Sequence, residues 1–168
     1  FRIDIHRPED VFLDSIRKKT RAEIVHAEGR FDALRGMLAD YFMGRRVSFD
    51  LLLDLRGTDF QRDVWRSIQR IPYGKLSSYR RLAEEVGRPR AVRATGNAVG
   101  DNPLSIIIPC HRVVRSDGGL GGYGGGLDVK RYLLSLEGVF PKVKGNELVA
   151  LEASYPRNRE DLLRYFFE

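Results

Sequence analysis

A short apolar run ended by proline narrows most what this chain can become: Leu104, Ile106, Ile107 and Ile108, then Pro109, then the single cysteine, Cys110, and His111. Residues 104–108 carry no charge and are rich in β-branched side chains, so they predict a strand buried on both faces. Proline lacks the N–H that would continue a ladder, so the strand stops there. Cys110 and His111 are thereby delivered at the edge of a core. A chain of 168 residues can build that core without staples.

Helical signals surround the run. Phe31, Leu34, Leu38, Tyr41 and Phe42 recur at helical spacing before Gly44, and residues 1–5 and 49–55 read as strands. Arg56 and Gly57 mark a boundary. Thr58 and Gln61 have the spacing of a capping box, with Phe60, Val64 and Ile68 on one face until Pro72, Tyr73 and Gly74. Ser77 or Ser78 caps a short helix through Val86. Gly87 and Pro89 then turn into a second helix over residues 90–99, which is helix-turn-helix spacing. Ala91, Ala94, Gly96 and Ala98 leave that second helix nearly bare, as close packing on a neighbour or in a groove requires. Asp128 is expected to cap a last core helix reaching Glu137 and Gly138. A further short helix, capped by Asn158 with Leu162, Leu163, Phe166 and Phe167 on its apolar side, is expected to dock on the body. The fold class this predicts is α/β (α+β), in three parts: an atypical α/β domain over 1–56, a helix-turn-helix domain over 57–140, and an extension over 141–168.

Composition excludes several function classes. Hydrophobic residues are 42% and charged residues 31% of the chain, outside the disordered range. The longest apolar runs, such as 51–53 and 106–108, are far below the roughly 18 residues of a membrane span. One cysteine cannot form an internal disulfide and no apolar leader opens the chain, so an intracellular, reducing compartment is expected. The chain starts on Phe1 rather than methionine, as a processed or trimmed terminus does. Residues 60–136 hold 13 basic and 6 acidic side chains, against 16 and 17 elsewhere, so the net charge of +6 lies in the middle. That distribution fits either a solvated surface or a polyanion partner.

Cys110 sits where a nucleophile could. His111, Arg112 and Arg115 are nearby cations that would favour a thiolate. Neighbours on an extended segment point to opposite faces, so a relay from His111 is expected rather than direct contact. Glu137 ends a helix, where the dipole disfavours a carboxylate, so it is expected to have a partner; orienting His111 in a Cys-His-acid arrangement would supply one. His6, His26 and His111 with one cysteine lack zinc-site spacing, and no metal is expected. The glycine-rich stretch 118–126 lacks a phosphate-loop pattern, so no nucleotide cofactor is expected.

Pro109-Cys110-His111-Arg112-Val113-Val114 resembles the active-site signature of the O6-alkylguanine-DNA alkyltransferases. The likeness extends through Ile71-Pro72-Tyr73-Gly74, Ser78-Tyr79, residues 90–96, Asn102-Pro103, residues 121–126 and Leu136-Glu137-Gly138. It implies a winged-helix-like domain that carries the reactive cysteine and repairs O6-alkylguanine, and O4-alkylthymine, in double-stranded DNA. Cys110 would accept the alkyl group irreversibly, His111 would activate it through a water, and Glu137 would polarise His111. Asn102 would brace the segment between recognition helix and site. Tyr79 would help turn the nucleotide out and protonate the departing guanine; Arg93 would fill the vacated place in the stack. Ser78, Ala94 and Gly96 would face the minor groove, and Pro109, Val113, Tyr123, Gly124 and Gly125 would line the pocket. No cofactor is implied, and a monomer is expected.

The chain also departs from the family. Some relatives carry serine at the position of Gly124, so here only a backbone N–H can serve the guanine oxygen. The family's opening hairpin is not recognisable ahead of residue 31, and the tail past residue 140 is long; it is expected to cover surface left open by the unusual start. Two other classes remain open: a base-flipping sensor without chemistry, which the cysteine argues against, and a cysteine hydrolase, which would turn over repeatedly.

Overall fold

The computed structural model describes residues 9–18, 23–25 and 29–139. The expected strand at 1–5, the tail helix and the extension over 141–168 lie outside these residues. Among the described residues six α-helices run in the order α1 (Glu9–Arg17), α2 (Asp32–Phe42), α3 (Asp59–Gln69), α4 (Tyr79–Glu85), α5 (Val92–Gly100) and α6 (Leu127–Leu136). A two-residue strand before α4, β1 (Ser77–Ser78), pairs in parallel with β2 (Val113–Val114), Ser77 opposite Val113. The fold is thus a mixed, predominantly helical one with a small sheet.

Local chemistry explains the helices. Thr58 and Gln61 form the reciprocal cap on α3, and Val64, Trp65 and Ile68 are its buried face. Ser78 Oγ accepts from Arg81 N at 3.1 Å to cap α4. Gly138, at φ +74, closes α6: its N–H reaches Ser135 O and that of Val139 reaches Leu134 O, the left-handed helix end only glycine adopts cheaply. Helices α3, α4 and α5 pack against one another over a core that includes Leu82, Ala98, Val99 and Ile108. A second cluster joins Leu38, Tyr41 and Phe42 of α2 to Val129 and Leu133 of α6 and to Ile106. Among the described residues no helix is long and apolar enough to cross a membrane.

Four local expectations are corrected. Residues 104–108 are a tight buried turn, not a strand: Ile108 N donates to Leu104 O, and Ile106 takes φ +73. That conformation costs a branched residue of order 1–3 kcal/mol; burying Ile106, 1% exposed, returns a similar amount. Residues 49–55 keep their alternation, with Phe49, Leu51, Leu53 and Leu55 half-buried, but pair with no strand among the described residues. Helix α5 starts at Val92 rather than Arg90, because Pro89 and Arg90 are spent in the turn. Asp128 does not cap α6; Gly126 holds that place and Asp128 pairs with Arg131.

Candidate active site

The turn at 104–108 exists to place Cys110. Asn102 Oδ1 accepts from Leu104 N at 3.0 Å, while its Nδ2 reaches Ile108 O at 2.7 Å and Cys110 Sγ at 2.9 Å. One amide therefore ties both ends of the turn to the sulfur. Cys110 N closes back on Ile108 O across Pro109, and Cys110–Arg112 wind into a single 3₁₀ turn. That winding replaces the extended geometry expected here, and it sends His111 inward.

His111 is fully buried, with Nε2 2.8 Å from Glu137 Oε1. Burial pushes its pKa down against the pull of Glu137, with Arg112 and Lys130 also opposing charge, so the ring is neutral at pH 7. Glu137 Oε1 accepts from Tyr41 Oη at 2.8 Å and from Arg112 Nη2 at 2.8 Å; Oε2 accepts from Arg112 Nε at 2.8 Å and from Gly74 N at 3.0 Å. Burial alone would raise this carboxyl, but the hydrogen bonds from His111 and Arg112 hold it down at about 2. An ionised acceptor facing Nε2 requires the proton on Nε2. His111 Nδ1 is then an unprotonated nitrogen, and it is buried with no hydrogen-bond partner among the described residues.

The cations expected to favour a thiolate are placed otherwise. Arg112 is forked onto Glu137 and donates to Ile71 O at 2.6 Å; Arg115 pairs with Asp117 at the surface. Burial pushes the Cys110 thiol up, against the pull of Asn102, the buried ammonium of Lys130 and the backbone N–H groups of Cys110 and His111. Lys130 Nζ donates to Val113 O at 2.6 Å, to Leu120 O and to Gly122 O at 3.3 Å. Burial brings its pKa down to about 8. The resting sulfur is a thiol, and a base is needed when it reacts.

The glycine-rich stretch lies over this centre. Tyr79, the first residue of α4, is half-buried, with its hydroxyl 3.4 Å from Gly122 O. A Cβ on Gly121, at φ +69, would stand 2.7 Å from that hydroxyl. Tyr123 is half-buried against both core clusters and Gly125 packs under its ring, whereas Gly124 is exposed. Pro109 and Val113 are buried beside Cys110. Along α5 the small residues divide: Ala98 faces the core, where its carbonyl accepts from Trp65 Nε1 at 2.8 Å, while Arg93 and Ala94 are exposed. Gly96 faces Tyr79, with room for a methyl at 3.9 Å.

Asn102 is thus bonded to Cys110 and Glu137 to His111, the two pairs joined through the chain at Cys110–His111; Tyr79 lies near enough to Cys110 for their charges to interact, Ser78 caps α4, and Arg93 and Ala94 lie on α5. Tyr41, Lys130 and the docking of Arg112 on Glu137 escaped the sequence reading. Lys130 had a signal: it shares the apolar stripe of α6 with Leu133 and Leu134, a poor place for an amine without a task. Among the described residues no cluster of His, Cys, Asp and Glu could hold a metal ion.

Comparison with known proteins gives this cluster its relatives. The family described as 6-O-methylguanine DNA methyltransferase, DNA binding domain, matches residues 59–139. The methylated-DNA--protein-cysteine methyltransferase of Mycolicibacterium paratuberculosis is 56% identical over 100 residues, 60% of this chain and 61% of its own length. The protein of that name from Methanosarcina barkeri is 47% identical over 129 residues, 74% of this chain and 82% of its own. A crystal structure of Mycobacterium tuberculosis OGT in complex with DNA superposes with a TM-score of 0.68 at 48% identity, covering 71% of this chain and 73% of that one. Likeness of this extent, in sequence and in fold alike, makes the chain a member of the methylated-DNA--protein-cysteine methyltransferase family.

Proposed function

We propose that this protein repairs O6-alkylguanine in duplex DNA by moving the alkyl group to Cys110, once per molecule. The observation that carries the proposal is the neutral His111, locked by Glu137 with an unprotonated Nδ1, next to a thiol that Asn102 holds in place. In the reaction the Cys110 S–H proton passes to His111 Nδ1 through a water, the sulfur pair attacks the alkyl carbon, and the carbon–O6 bond breaks onto the guanine. Tyr79 donates a proton to the departing base and regains one from the imidazolium through solvent, so charge and protons balance. Glu137 stabilises the imidazolium while it exists.

An ordinary thiol of pKa near 8.5 is about 3% ionised at pH 7, so full ionisation would bring it only about thirtyfold in rate, ~2 kcal/mol; burial makes the Cys110 thiolate scarcer still, which is why His111 must take the proton as the sulfur reacts. In-line placement of the sulfur and proton delivery by Tyr79 supply the rest. Since Cys110 is 7% exposed, a stacked base cannot reach it and the nucleotide must be turned out of the helix. The exposed face of α5 suits the minor groove, with Ala94 allowing close approach and Arg93 filling the gap in the stack. The basic middle of the chain then meets phosphates. Thioethers have no good leaving group, which ends the working life of each molecule. The protein acts as a monomer inside the cell, where the DNA is.

Mass spectrometry of the protein after incubation with O6-methylguanine duplex tests this. The expected result is one added methylene on the peptide containing Cys110, absent in Cys110→Ala. Binding without a mass change would identify a sensor instead, and indifference to the DNA would leave a hydrolase.

A further inference from the structure

We propose that Tyr41 is a positioning residue for the reaction, its hydroxyl holding the Glu137 carboxylate against His111 Nε2 and setting how strongly that acid pulls on the ring. This rests on reading Cys110 as the nucleophile and His111 as its base. Tyr41 lies in the last turn of α2, ahead of residues 59–139 that the DNA-binding family matches, and it is 0% exposed. A buried tyrosine hydroxyl needs a partner. This one finds two members of the site at once: Glu137 Oε1 at 2.8 Å and His111 Nε2 at 3.2 Å.

Donor counting decides what the hydroxyl does. Glu137 Oε1 faces Tyr41, His111 and Arg112, and Oε2 faces Arg112 and Gly74, so every neighbour of the carboxylate must donate. Tyr41 stays protonated, since burial and the Glu137 charge push its pKa well up. Its O–H therefore points at Oε1, and its lone pairs are left beside Nε2–H. Both oxygens near Nε2 then disfavour a lone pair on that nitrogen, which excludes the other tautomer. The ring cannot drift, being edge-on to Phe42 and Tyr73, with His111 itself 6.4 Å away.

The hydroxyl also sets how strongly Glu137 pulls on His111. Each donor on Oε1 spreads the carboxylate charge, so losing one makes the acid a stronger partner for an imidazolium. The charged and titratable groups facing His111 are Glu137, Arg112, Lys130, Tyr41 and the Cys110 thiol, and only Tyr41 changes in the test.

Tyr41→Phe keeps the packing and removes the oxygen. Alkyl transfer is expected to slow by about tenfold, the worth of one buried hydrogen bond. In ¹⁵N NMR of the free protein the His111 titration is expected to move to higher pH, with the neutral ring still protonated on Nε2. A 3-fluorotyrosine at position 41, a stronger donor of nearly the same size, is expected to move the titration down, and it serves where Tyr41→Phe fails to fold. An unchanged His111 titration in either variant would overturn the proposal, whatever the rate does. If the wild-type protein takes up no alkyl group the proposed reaction falls, while the NMR result still decides the role of Tyr41.

Discussion

The guanidinium of Arg112 lies along the carboxylate of Glu137, Nε 2.8 Å from Oε2 and Nη2 2.8 Å from Oε1. Both side chains are buried, and the bond joins the residue two places after Cys110 to the C-cap of α6. The acid that orients His111 is therefore itself fixed at two points.

Breaking that fork should cost more than any surface ion pair here. Arg112→Ala leaves a buried carboxylate without its main counter-charge, and about 3–5 kcal/mol of stability should go with it. Arg112→Lys keeps the charge but not the two parallel bonds, and should fall between. Urea unfolding at pH 7 measures both; a loss below 1 kcal/mol in Arg112→Ala would show that the pair contributes little.

Acid should unfold the protein in two stages. His111 has a folded pKa below its ordinary 6.5, so the unfolded chain takes up that proton first and stability falls as pH drops below about 6.5. Glu137 has a folded pKa of about 2 against 4.5, so its contribution is whole above 4.5 and is lost as pH falls from there toward 2. In Glu137→Gln the steeper second stage should shrink, which a series of urea titrations between pH 7 and pH 3 would reveal.

Lys130→Met should both loosen the glycine-rich stretch and make Cys110 harder to ionise. The substitution removes the donor to Val113 O, Leu120 O and Gly122 O, at a cost of about 2 kcal/mol, together with the cation that lowers the thiol pKa. The pH–rate curve for iodoacetamide reacting at Cys110 should move to higher pH. No movement would mean that the ammonium is too well neutralised by the carbonyls to act on the sulfur.

Gly121→Ala should disturb Tyr79 without touching Cys110. The left-handed backbone there penalises alanine by about 1 kcal/mol, and the new methyl would overlap the Tyr79 hydroxyl, which must swing aside. Alkyl transfer from duplex DNA should slow while iodoacetamide labelling of Cys110 stays near wild type. Equal loss of both reactions would place the defect in the fold instead.

Legibility followed sequence distance. The caps at Thr58 and Ser78 and the end of α6 at Gly138 were readable because each depends on residues a few places apart. The strand expected at 104–108 failed for a different reason, although its bonds are local: apolar content says a segment is buried but not how its backbone hydrogen bonds are closed. Asn102, within eight residues, closes them as a turn. Arg112 was read as an aid to the thiolate because it lies near Cys110 in the chain, yet its nearest acid is 25 residues away.

Residue order alone determined helices α2 to α6, the lone cysteine beside His111 and the likeness to the family, since those follow from local spacing and residue type, whereas α1 (Glu9–Arg17) was not read. Only tertiary packing decided the ionisation of the site. Whether His111 is neutral, whether Glu137 is held at about 2 and whether Lys130 falls to about 8 depend on which groups are desolvated together. Those groups, from Tyr41 to Glu137, meet only when separate helices close over the same core.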